Sequence, residues 1–149
     1  MLLSQACLVG LLIANGFSPY LGLKTESSFA MFSNIRTEGG RSNHLFIPNY
    51  QLFDYQKTLV EVVESTDSRL DRARETNRVL PYYELMRRMQ RLRNAGIEAR
   101  VTYRTQDGQS HSLSTTTDTA ELRNEPPFLV RKFLTFRPVE TEEVVPCGH

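Results

Sequence analysis

The chain predicts a small α+β fold: a mostly antiparallel sheet with one amphipathic helix, preceded by an apolar amino-terminal helix. Three observations carry that expectation. Residues 98–116, EARVTYRTQDGQSHSLSTT, set Asp107-Gly108 between two alternating runs, the strongest short hairpin signal a sequence offers. Residues 81–96, PYYELMRRMQRLRNAG, have proline in the first turn and glycine just past the last, the two punctuation marks of a helix. Residues 1–23 hold no charged side chain, Lys24 being the first.

The 149 residues, 40% hydrophobic and 23% charged, match one globular unit with a modest core. A formal net charge of +1 demands no polyanionic partner, so any electrostatic function must be local. Cys7 and Cys147 stand far apart and have neither a disulfide framework nor structural-zinc spacing, and both read as reduced thiols. Cys147 and His149 in the terminal CGH are two ligands on a tail, too few for a metal site. No metal site is expected, and no cofactor is indicated.

Three organisational units follow: 1–23 as an apolar anchor helix and its exit, 24–140 as an α+β domain, and 141–149 as a loose tail. In MLLSQACLVGLLIANGFSPYLGL, Asn15-Gly16 and Pro19 should end the helix early, leaving about Leu2 to Asn15. That is short of the ~20 residues a membrane span needs. A signal peptide would want positive charge ahead of its apolar stretch, and a buried soluble helix would show a polar face. The favoured reading is the cytosolic half of a transmembrane helix that begins upstream of Met1. Lys24, Arg36 and Arg41 then place residues 24–149 on the cytoplasmic side by the positive-inside rule.

Residues 27–35, SSFAMFSNI, and 44–48, HLFIP, read as paired strands joined by RTEGGRSN. Gly39 and Gly40 reach positive φ without steric penalty, which the turn needs whether or not a ligand exists. A functional version would make the turn an anion nest, with Arg36, Arg41 and His44 gathered round Gly39 and Gly40. The turn-only reading is preferred, because no following helix or third phosphate-binding element is apparent.

KTLVEVVEST, 57–66, is apolar and β-branched and reads as a buried strand. STDSRLDRARETN is a polar connector with a helical turn capped by Asp67 or Ser68. On the helix from Pro81, Leu85, Met89 and Leu92 form the apolar stripe, widened by Tyr82 and Met86, while Arg87, Gln90 and Arg91 point elsewhere. Glu84 and Arg88 have i,i+4 spacing for an ion pair. His111 lies in the second hairpin strand without a catalytic partner at motif spacing, and is read as structural. Pro126-Pro127 opens a short helix carrying Phe128 and Phe133 that caps the sheet, with a strand as the alternative.

Nine arginines lie between Arg69 and Arg100. Of these, Arg87, Arg88 and Arg91 are candidates to meet anionic lipid head groups. Nucleic acid is not favoured, because aromatic stacking residues are not interleaved with them. Acid–base pairs drawn from Glu38 and His44, or from Asp54 and Glu61, rest on residue type alone. No complete Walker, Rossmann, zinc or hydrolase motif is present, and the catalytic residues, if any, are unknown.

Residues 18–48, through PYLGLKT, FAMFSN, RTEGG and NHLFIP, and more loosely FLTFRPVE near the end, resemble bacterial membrane proteins of the HTTM class, the group related to vitamin K-dependent gamma-carboxylase. The resemblance implies the segment after the last membrane helix of a multi-helix protein. It carries over no catalytic residue, because the multi-helix bundle is missing from this sequence. The leading expectation is therefore a non-enzymatic cytoplasmic C-terminal domain whose partners are the lipid bilayer, anionic head groups or the missing membrane helices. The rival is a small soluble anion-binding domain or enzyme using Arg36, Arg41 and His44.

Overall fold

The structure is a computed structural model that describes residues 2–19, 21, 39, 54–124 and 126–140. In chain order it comprises α1 (Leu2–Phe17), a 3-10 turn (Asp54–Gln56), β1 (Leu59–Ser65), α2 (Ser68–Glu75), β2 (Arg78–Pro81), α3 (Tyr82–Asn94), β3 (Arg100–Thr105), β4 (Ser110–Ser114), α4 (Ala120–Arg123), α5 (Phe128–Phe133) and β5 (Val139–Glu140). The α+β expectation holds: the five strands form one sheet in the order β4-β3-β1-β2-β5, every neighbouring pair antiparallel.

The valine-rich run becomes the central strand because both its neighbours are found elsewhere in the chain. Strands β2 and β3 flank β1, so α3 must cross over β1 to connect them, a split βαβ unit. Helices α2 and α3 cover one face, packing Leu70, Ala73, Leu85, Met86, Met89 and Leu92 onto Val60, Val62, Leu80, Val101, Tyr103 and Leu113. On the other face, Glu61 meets Arg104 at 3.3 Å and Ser110 and Ser112 are exposed. Strand β1 is therefore covered on one side only. Its register shifts between Val62 and Glu64, and Val63, on the same face as Glu61, is exposed where continuous burial was expected.

The connector after β1 is a full helix rather than a single turn. Asp67 is its N-cap, accepting the Leu70 N–H at 3.2 Å, and Leu70 and Ala73 give it a buried side. Strand β2 is an element that periodicity did not reveal. It has four residues, it starts after Asn77 at φ +51°, and it ends on the proline expected inside the helix. Pro81 is instead the extended N-cap residue of α3, paired with Leu59, and Tyr82 N–H donates to Thr58 at 2.8 Å.

Helix α3 closes as its sequence implies. Gly96, at φ +68°, donates to the Arg93 carbonyl at 3.0 Å, and Ile97 donates to Leu92 at 2.9 Å, the double bond of a Schellman motif. Nothing crowds a Cβ there, so Gly96→Ala tests the backbone alone. It should lower the unfolding free energy by about 1 kcal/mol, read as a shifted denaturation midpoint at unchanged slope. The Asp107-Gly108 hairpin also forms, with Gly108 at φ +82° and Thr105 N–H donating to Gln109 at 2.9 Å.

The carboxy-terminal stretch combines both expected alternatives. Helix α5 forms, but Phe128 and Phe133 are 62% and 57% exposed, with Lys132 Nζ 5.7 and 5.9 Å from their ring centres. The helix therefore does not cap the sheet with those rings. Leu134 and Phe136, alternating along the extended stretch that leads to β5, are the buried pair, clustered with Tyr83. Strand β5 then pairs Val139 with Val79.

Candidate functional site

The structure distributes the residues singled out in the sequence over three places. The anion nest lies largely outside the described residues: Arg36, Gly40, Arg41 and His44 are not among them, nor are Glu38, Cys147 and His149. Gly39 is described, at φ +70°, and a Cβ on it would meet Leu59 Cδ1 at 2.7 Å. The positive φ favours glycine there whether or not a ligand binds, and the Leu59 methyl group would have to move to admit a Cβ.

The three arginines proposed for a lipid surface separate. Arg87 is buried: its Nε and Nη2 donate to Glu84 at 3.0 and 2.9 Å, and its Nη1 donates to the Leu134 carbonyl at 3.1 Å. Gln90 is buried too, its amide donating to the Asn124 carbonyl at 3.3 Å. These two were expected to face water. Asn124 and the segment 126–136 lie against a second side of α3 and supply carbonyl acceptors that helical periodicity cannot anticipate. Arg88 reaches α2, pairing bidentately with Asp67 at 3.1 and 2.6 Å. Its expected partner Glu84 instead pairs with Arg87. Only Arg91 of the three is exposed, and its guanidinium affinity for a proton is lowered by partial burial first, then by the like charges of Arg87, Arg88 and Arg69.

Asp54 and Glu61 are engaged separately, Asp54 with Lys57 and Glu61 with Arg104. Among the described residues no three of His, Cys, Asp and Glu come together as a metal site.

Two surfaces remain that could carry function. One is α1, exposed from Ser4 to Ala14: Leu8 and Leu12 are 62% and 63% accessible, and Val9, Leu11, Ile13 and Phe17 are also open. It carries no acidic or basic residue in its 16 positions. Among the described residues no helix is long and apolar enough to cross a membrane, α1 included.

The other is a groove of about 630 Å³ between the 3-10 turn, α3 and the α4 region. Tyr82 and Tyr83 open α3 and fall on different sides of it, so one wall joins each core cluster. Tyr83 packs edge-on to Tyr55 at 5.0 Å and to Phe136 at 5.8 Å, and its hydroxyl donates to the Val130 carbonyl at 3.4 Å. Tyr82 tilts against Tyr103 at 5.8 Å, with the Tyr103 hydroxyl and the Glu121 carboxylate close enough to act on its phenol. Burial pushes the Tyr82 phenol well above its usual range, and the neighbouring Tyr103 hydroxyl and Glu121 carboxylate add to it. Burial also raises Tyr83, against the opposing charge of Arg87, and raises Tyr103, against the Tyr82 hydrogen bond. These phenols are neutral hydrogen-bonding groups at ordinary pH.

Glu121 also borders a second recess of about 460 Å³ with Tyr103 and His111. His111 stacks on Tyr103, its cross-strand neighbour, at 5.4 Å, so the histidine read as structural is a ring on the lip of this site. Asp54 and Arg87 also line the groove, but each has its own ion-pair partner. Among the described residues, Glu121 is the charged group of the lining that forms no ion pair. No signal within one segment pointed to this arrangement, since its parts come from four separated stretches of chain.

No family model matches the chain, and searches of curated proteins and of solved structures find no similar protein.

Proposed function

We propose that the chain is the water-facing α+β portion of a multi-helix bacterial membrane protein, tied to the bilayer by α1 and without catalytic activity of its own. The observation that carries this reading is the exposure of α1, an uncharged helix on which Leu8, Val9, Leu11, Leu12 and Ile13 are exposed. Large exposed apolar surfaces call for a cover. At about 1.5 Å per residue α1 is about 24 Å long, less than the ~30 Å of hydrocarbon, so it enters lipid from one side or packs among other membrane helices. The cytoplasmic side is the one favoured by Lys24, Arg36 and Arg41, and the resemblance of residues 18–48 to HTTM proteins points the same way.

Two features of the folded part suit a nearby leaflet. Arg91 and Arg69 are both exposed and available to anionic head groups, and Phe128, Phe133 and Lys132 form an aromatic–basic patch of the type found at membrane interfaces. Arg87 has no part in this, because its charge is spent inside the fold.

The full chain should float with phosphatidylcholine vesicles and need detergent for extraction. A Leu8→Lys, Leu12→Lys double variant should be released into the aqueous fraction, each lysine costing about 3 kcal/mol in lipid. A wild-type chain that stays monomeric in water without detergent would rule the anchor out. Arg91→Ala should weaken binding only to vesicles that contain phosphatidylserine.

A further inference from the structure

We propose that the groove between the 3-10 turn, α3 and α4 binds an organic ammonium ion, with the Glu121 carboxylate opposite its charge and the rings of Tyr55, Tyr82 and Tyr83 around its carbon substituents. This stands apart from the membrane reading, since it uses no residue of α1. Three features select the ligand class. The groove, at about 630 Å³, has the size of a small-molecule site. Three tyrosines, Tyr55, Tyr82 and Tyr83, are among its lining residues, and aromatic rings attract alkylammonium groups. Among the described residues its charge is not balanced internally: Lys57 holds Asp54 and Glu84 holds Arg87, which leaves the carboxylate of Glu121 for a cation from outside.

A bare metal ion fits less well, because Ca²⁺ and Mg²⁺ want six or more oxygens and, among the described lining residues, Glu121 is the one carboxylate without an ion-pair partner. An anion would meet Glu121 without an available arginine, since the three donors of Arg87 used in the fold go to Glu84 and Leu134.

The test compares choline with 3,3-dimethyl-1-butanol, its neutral isostere, on the full chain in maltoside detergent, which carries no ammonium group. With six tyrosines and no tryptophan, tyrosine fluorescence reports on the groove, and amide NMR shifts localise the binding. Choline should bind saturably and shift Tyr82, Tyr83 and Glu121, and the isostere should bind at least about fivefold more weakly. Glu121→Gln should abolish that preference, whereas Glu98→Gln, outside the groove, should keep it. Tyr55→Leu, which leaves the carboxylate in place, should weaken choline binding. Equal affinity for the two compounds, no saturable binding of either, a preference that survives in Glu121→Gln, or unchanged choline affinity in Tyr55→Leu would each overturn the assignment.

Discussion

Arg87→Ala should lower the unfolding free energy by about 3 kcal/mol, measured by urea denaturation of the full chain in maltoside. The side chains of Arg87 and Glu84 are only 9% and 13% exposed, so removing the guanidinium strands a carboxylate in a poorly hydrated place. It also takes the hydrogen bond from the Leu134 carbonyl, while Glu84 still accepts the Phe136 N–H at 2.9 Å. The pair thus fastens the returning 134–136 segment to α3, and its loss should loosen Leu134 and Phe136 before the sheet unfolds. Arg87→Lys should recover only part of the loss, because one ammonium cannot reproduce a planar fork that serves two acceptors. A lipid-contact role predicts the opposite pattern, with stability unchanged and membrane binding reduced. Arg91→Ala, at an exposed site, should change stability by less than about 0.5 kcal/mol.

The second large effect is expected at Asp67. Its carboxylate caps α2 through the Leu70 N–H and holds Arg88 of α3 bidentately, so one side chain ties the two helices together. Asp67→Ala should cost about 2–3 kcal/mol, with about 1 kcal/mol from the cap and the rest from the charged hydrogen bonds. Burial by itself would raise the Asp67 pKa, but the Arg88 hydrogen bond, the Leu70 N–H and the Arg88 charge together hold it below the ordinary 3.8. A folded-state pKa below the unfolded one means that this stabilisation is fully present above the unfolded value and is lost as the pH falls through the folded one. Stability should therefore drop in the acid range below roughly pH 4. Asp67→Asn retains a capping oxygen and has no charge to lose, so its stability should fall less steeply there. Parallel acid limbs for the two proteins would refute the assignment.

Much of the fold could be read from short windows. Leu85, Met89 and Leu92 are buried at their helical spacing, Asp107-Gly108 turns the hairpin, Asp67 caps a helix, and Gly96 ends one. Each is a local rule in which the residue and its consequence lie within a turn of each other. Strand β2 escaped because RVLP is four residues long and ends in proline, and its status as a strand comes from pairing with β1 and β5. Phe128 and Phe133 misled because helical spacing says which residues share a side and not whether anything lies against that side.

The candidate groove lay beyond such reading for the same reason. Tyr55, Tyr82 and Glu121 belong to a 3-10 turn, a helix start and a four-residue helix, and none is unusual in its own segment.

The amino-acid sequence by itself determined the secondary elements with strong local signals, the apolar and uncharged character of the first helix, and the face that α3 turns to the sheet. Tertiary structure alone decided the strand order, the burial of Arg87 and Gln90, the bond from Asp67 to Arg88, and the meeting of Glu121 with the tyrosines. Periodicity and capping act over a few residues along one segment. The charge balance of a groove and the burial of a polar side chain are set by whichever distant segment comes to lie against it.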